Sequence, residues 1–168
     1  MAVTKQTLFE LIRGNTREAY AELLRSVIEQ PDFQVVSDDL RLLWQRYETG
    51  DLDGVKAQLP GLMRHWIHNP EIHIISSAVA RRTGDLQGEE LERLLAHGCF
   101  AGMQASGDGS LERPYQVARV YDEYSLLRFL QKKLRRQRLL RPDGRVVDEL
   151  VCDDNTTMYF ELPKLPLT

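Results

Sequence analysis

Thr49-Gly50-Asp51-Leu52-Asp53-Gly54 returns 34 residues later as Thr83-Gly84-Asp85-Leu86-Gln87-Gly88. A period of this size marks a stack of helix–turn–helix units. One such unit cannot bury its apolar face alone, so neighbours must stack. The stack then offers an extended surface suited to binding rather than chemistry.

The spacing of apolar residues around the two phrases is helical. Leu40, Leu43, Trp44 and Tyr47 recur at intervals of three and four, as do Val55, Leu59, Leu62, Met63 and Trp66. Leu91, Leu94, Leu95, Cys99 and Met103 form a further stripe. Pro31 and Pro70 punctuate the helices, because proline lacks the backbone donor and clashes with the preceding turn. At Ser106-Gly107-Asp108-Gly109-Ser110 this pattern stops. Beyond it, residues 115–121 alternate with period two and predict a strand, 122–134 a helix, and 146–151 and 156–162 two more strands. The first of those last two is entered through a Pro142-Asp143-Gly144 turn.

The helical part resembles the tetratricopeptide pattern most closely in its first unit. Gly14, Ala19, Leu23, Ser26 and Pro31 stand at the turn, small, large, small and terminal proline positions. The reason is steric: small residues let the second helix approach the first, and the large one fills the gap. The second unit is degenerate, with Val55 at the small position and Pro60 within or at the edge of its second helix. The third keeps Gly84 but has Glu89 where a small residue belongs. A helical bundle in which the phrase recurs by chance would bury the same stripes.

The composition, 42% apolar and 28% charged, is that of an ordinary globular protein. A net charge of −3 gives no general attraction to nucleic acid or anionic membranes. Cys99 and Cys152 form no CxxC pair and read as reduced, mostly buried thiols, with a single disulfide as the alternative. Met1 to Gln6 lack an apolar signal region, and no run approaches the roughly 20 apolar residues of a membrane span. The expectation is a cytoplasmic protein with no membrane partner.

Four features invite a chemical reading. His65 and His68 stand three apart with His73 beyond Asn69-Pro70, and Glu71 or His73 could complete a metal site only if the chain folds back. The plainer reading is imidazoles at a helix end, where they complement the dipole. In Tyr121-Asp122-Glu123-Tyr124 the carboxylates are adjacent, so on a helix they point apart. Asp122 reads better as an N-cap, with Glu123 in the positive first turn and Tyr124, Leu127, Leu130 and Leu134 as the buried stripe. Lys132 to Arg141 carries six cations, including Arg135, Arg136 and Arg138, and reads as a basic helix end able to hold phosphate, RNA or an acidic partner. It has no interleaved aromatics to stack bases. Gly107-Asp108-Gly109 lacks both the GK[ST] of a phosphate loop and the ligand spacing of a calcium loop. No catalytic residue, cofactor or metal is assigned.

Ser106-Gly107-Asp108-Gly109-Ser110, Pro114-Tyr115-Gln116-Val117 and Val120-Tyr121-Asp122-Glu123-Tyr124 together resemble a bacterial domain family of unknown function. Asp143 to Asp148 and Met158 to Leu162 look like its closing strands. The resemblance covers about residues 106–162. It implies that irregular helices and a compact α/β ending belong together, and it brings no catalytic residues.

The expected fold is α+β. Tetratricopeptide-like hairpins at roughly 4–30, 32–68 and 70–105 make a helical region, 1–105, and a small β-α-β-β unit follows in 106–168. Strand residues Val117, Val120, Val147 and Phe160 should pack on Leu127 and Leu130. The expected function is non-catalytic protein or peptide binding, with Arg41, Gln45, Arg81 and Arg82 on the groove. The first alternative is an RNA- or phosphate-binding protein using Arg135, Arg136 and Arg138. The second is an enzyme with Glu123, Tyr121 and a histidine in a pocket between the two parts.

Overall fold

The recurring phrase is a helix stop followed by a helix start. In the computed structural model, which describes residues 3, 5–14 and 16–164, Gly50 and Gly84 both sit at positive φ, 83° and 79°. Each closes the preceding helix with the same pair of bonds. Gly50 N–H donates to Tyr47 and Asp51 N–H to Arg46; Gly84 N–H donates to Arg81 and Asp85 N–H to Ala80. The aspartate then caps the next helix, Asp51 Oδ1 accepting from Gly54 N–H at 3.0 Å and Asp85 Oδ1 from Gly88 N–H at 2.9 Å. The phrase thus encodes a turn that returns the chain antiparallel.

Six helices result: α1 (Lys5–Arg13), α2 (Thr16–Ile28), α3 (Asp39–Glu48), α4 (Leu52–Trp66), α5 (Pro70–Thr83) and α6 (Leu86–Ala105). They pair as α1/α2, α3/α4 and α5/α6, and the α1/α2 pair also lies on α6. Close approach there requires glycine. A Cβ on Gly98 would meet Leu11, and one on Gly102 would meet Tyr20 and the Thr16 carbonyl. Gly102→Ala is therefore expected to destabilise by about 1–3 kcal/mol, measurable by urea denaturation. Pro60 lies inside α4. Of the stretch read for an export signal, Met1, Ala2 and Thr4 lie outside the described residues.

The α/β ending differs from expectation by one strand. It comprises β1 (Tyr115–Gln116), α7 (Val120–Phe129), β2 (Leu134–Leu140), a 3₁₀ turn at Pro142–Gly144, β3 (Val146–Cys152) and β4 (Thr157–Leu162). The sheet order is β1-β4-β3-β2, with β1 parallel to β4 and the remaining pairs antiparallel. The predicted helix over 122–134 is α7, which starts and ends earlier. At its start, Asp122 is not the N-cap but the third helical residue. Its Oδ2 accepts from the backbone N–H of Ala118 at 3.0 Å and of Arg119 at 2.8 Å, lifting residues 118–120 out of the strand. At its end, Gln131 takes φ 56° while Gln131 N–H bonds Arg128 and Lys132 N–H bonds Leu127. This left-handed cap stops the helix, so the basic run becomes strand β2 rather than a helix end.

The core crosses the change of pattern at 106–110. Leu11, Tyr20, Leu23, Cys99 and Met103 from the helices form one cluster with Val117, Leu126, Leu127, Leu150, Met158 and Phe160. Val147 is buried as well, but strand alternation puts it on the opposite face of the sheet with Glu149. A second cluster, Leu40, Leu43, Val55, Trp66, Ile72, Ile75 and Val79, lies within α3–α5 and touches Tyr121 of α7. Leu91 and Leu94 of the third stripe are exposed. Both cysteines are buried and free. Among the described residues no helix is long and apolar enough to cross a membrane.

Candidate functional site

The start of α5 meets the start of α7 in a buried polar seam. Asn69 and Pro70 suit a helix entry, and Asn69 Oδ1 accepts from Glu71 N–H at 2.8 Å. The other end of the same amide, Asn69 Nδ2, donates to Asp122 Oδ1 at 2.6 Å and to Ser125 Oγ at 3.3 Å. His68 Nε2 donates to Asp122 Oδ2 at 2.9 Å. Asp122 is fully buried. Burial alone would raise its carboxyl, but His68, Asn69 and the Arg119 N–H outweigh burial and hold it below the usual carboxylate range.

Two residues further on, Glu71 ties α5 to both α3 and α7. Its Oε2 accepts from Trp44 Nε1 on α3 and from the Tyr121 hydroxyl on α7, each at 2.9 Å, and its Oε1 from Arg128 Nε at 2.9 Å. Burial and the Glu71 carboxylate both push the Tyr121 phenol up. Above this anchored carboxylate a cleft of about 560 Å³ opens between α3, α5, α6 and α7. Its walls are Trp44, Ile74, Phe100, Tyr121 and Phe129, with Glu48, Ser125 and Arg128 at their edges. Phe100 and Phe129 stack at 4.0 Å. Ile74 and Phe129 are 37% and 41% exposed, so the apolar wall reaches solvent.

The remaining predicted residues scatter. Arg41 is exposed and pairs with Asp38, and Gln45 lines a separate groove between α3 and α4 with Leu42 and Leu62. Arg81 pairs with Glu89, while Arg82 lies over the Tyr47 ring at 4.5 Å. The three central histidines do not converge. His65 meets Arg64 and Asp32, His68 meets Asp122, and His73 Nδ1 donates to Glu92 at 2.7 Å while its Nε2 donates to the Ile67 carbonyl. Burial alone would lower the His73 imidazole, but its bonds to Cys99 and Glu92 outweigh burial and lift it to about 10. Among the described residues no three His, Cys, Asp or Glu side chains gather as for a metal.

Tyr121 and Glu123 also part company. Tyr121 lines the cleft, whereas Glu123 turns toward the sheet, where Gln137 Nε2 donates to it at 3.2 Å and to Asp148 at 2.7 Å. Burial first, then the neighbouring Asp148, pushes the Glu123 carboxyl up to about 10, and Oε1 has no donor to support a charge. Glu123 is therefore protonated near neutral pH. The cleft between α3, α5, α6 and α7 contains neither Glu123 nor a histidine.

In the sequence Trp44 reads as part of an apolar helical stripe and Glu71 only as a possible metal ligand. Nothing there signals Arg128, Phe129 or Ile74, because their convergence depends on where α7 ends. Comparison with protein-family models, curated proteins and solved structures finds no match to this chain.

Proposed function

We propose that the protein is a non-catalytic binding module whose cleft between α3, α5, α6 and α7 takes an apolar or aromatic side chain of a protein or peptide partner. The observation that carries this reading is the lining. Five large side chains line the cleft, Ile74 and Phe129 reaching solvent, around a carboxylate whose bonds are already filled by Trp44, Tyr121 and Arg128. Such a pocket is preformed and needs no ordering on binding. The residues behind the resemblance to a bacterial family of unknown function, Asp122 and Glu123 among them, join the helices to the sheet, and on our reading they hold the cleft's walls. Two free buried thiols fit a reducing, cytoplasmic setting.

Selection from a displayed peptide library tests the proposal. Selected peptides should carry an apolar anchor and lose about tenfold or more in affinity, some 1.4 kcal/mol, against Ile74→Asp or Phe129→Asp. Leu42→Asp, in the separate α3/α4 groove, should leave their binding intact. Peptides indifferent to the cleft substitutions, or abolished by Leu42→Asp, would refute the assignment.

A further inference from the structure

Strand β2 lies at an edge of the sheet, and it is unlike the opposite edge. β1 is two residues long and packs beside α6, whereas β2 spans seven residues that are mostly exposed. A long free edge offers unpaired backbone groups to another strand. Its charge is one-sided. Lys132 to Arg141 holds six cations. Among the described residues only two carboxylates pair with them: Asp154 with Lys132, and Glu149 shared by Arg136 and Arg138. Arg135 bonds the neutral Asn155, and Lys133 and Arg141 form no ion pair among the described residues. Arg136 and Arg138 remain 64% and 58% exposed despite their pairing. A strong local positive excess therefore stands on a chain of net charge −3.

That charge decides what can add to the edge. A second copy pairing β2 to β2 would set like charges against one another, which disfavours self-association. Nucleic acid would find phosphate partners but no aromatic side chain on β2 for its bases, since the strand reads Leu134-Arg135-Arg136-Gln137-Arg138-Leu139-Leu140. An extended acidic polypeptide meets both properties: its backbone completes the ladder and its carboxylates neutralise the arginines. Exposed Leu134 and Leu139 add apolar contact for alternating side chains.

We propose that the β2 edge is a docking site for an acidic extended segment of a partner protein, added to the sheet as a further strand. This surface is separate from the apolar cleft, and the proposal does not depend on it. The test uses the intact, isotope-labelled protein and a synthetic peptide alternating glutamate with valine, matched to β2 in length. Binding at low salt should slow hydrogen exchange at the outward amides of 134–140. It should weaken with added salt as the screening length falls from about 10 Å at 0.1 M to about 3 Å at 1 M. N-methylation of alternate peptide amides should cost about tenfold in affinity, because backbone pairing is lost. Arg135→Glu with Arg141→Glu, at exposed positions outside the Glu149 pairs, should cost about as much. No binding at low salt, or binding indifferent to N-methylation, would overturn the proposal. So would oligothymidylate binding more tightly at the same residues.

Discussion

Replacing Asp122 by alanine is expected to lower the unfolding free energy by about 3–5 kcal/mol, because several buried donors lose their acceptor at about 1–3 kcal/mol each. The single carboxylate holds His68, Asn69 and the backbone N–H groups of Ala118 and Arg119, all away from solvent. Deleting it strands every one of those donors at once. A protein of this size keeps only about 5–15 kcal/mol of net stability, so roughly a fifth or more of it depends on this residue. Thermal unfolding should shift by roughly 2–4 °C per kcal/mol. Asp154→Ala, which removes an exposed partner of Lys132, provides the comparison and should barely move the transition. Equal effects from the two substitutions would contradict the role given to Asp122.

Stability should fall as pH rises, and Glu123 is the main cause. Its carboxyl is raised from about 4.5 in the unfolded chain to about 10 in the fold, so the folded state holds a proton that the unfolded state releases. The stabilisation is complete below the unfolded value and is lost progressively as pH climbs toward the folded one. The slope is up to about 1.4 kcal/mol per pH unit for one proton. Glu123→Gln keeps the neutral shape without the titration. Denaturation from about pH 6 to about pH 9 should therefore decline in the wild type and run much flatter in the variant. His73, raised from 6.5 to about 10, has the same sign but acts only above its unfolded value. The slope that survives in Glu123→Gln above about pH 7 should shrink when His73 is replaced as well, leaving the Cys152 thiol, which burial pushes up, to act near pH 9. Identical slopes in wild type and Glu123→Gln would mean that the Glu123 carboxyl is ionised in the fold.

Those two residues also show how far the sequence could be read. The helical hairpins were legible because their turns use residues with a local mechanism: glycine at positive φ and aspartate as cap, twice in the same arrangement. The end of α7 was not legible. Its left-handed residue is Gln131, a side chain that carries no turn signal, so the apolar spacing of Tyr124, Leu127, Leu130 and Leu134 ran on through it. That one position decides whether six cations cap a helix or line a sheet edge. The cleft was hidden for a related reason. Trp44 and Tyr121 belong to ordinary apolar stripes, and only the long-range bonds of Glu71 reveal that they face each other. Adjacent Asp122 and Glu123 were rightly expected to diverge, but the chain alone could not say that one meets a histidine and the other a second carboxyl.

The two tryptophans occupy positions that make them independent reporters. Trp66 is sealed in the second cluster, stacked on His68 with the Arg119 guanidinium 4.6 Å from its ring. Trp44 stands half-buried in the cleft wall, edge-on to Tyr47 and bonded to Glu71. An occupant of the cleft would change the polarity around Trp44 while Trp66 stayed dark to it. Loss of the fold would expose both. With each indole replaced in turn by phenylalanine, the same fluorescence instrument would separate occupancy from unfolding, with no label attached to the chain.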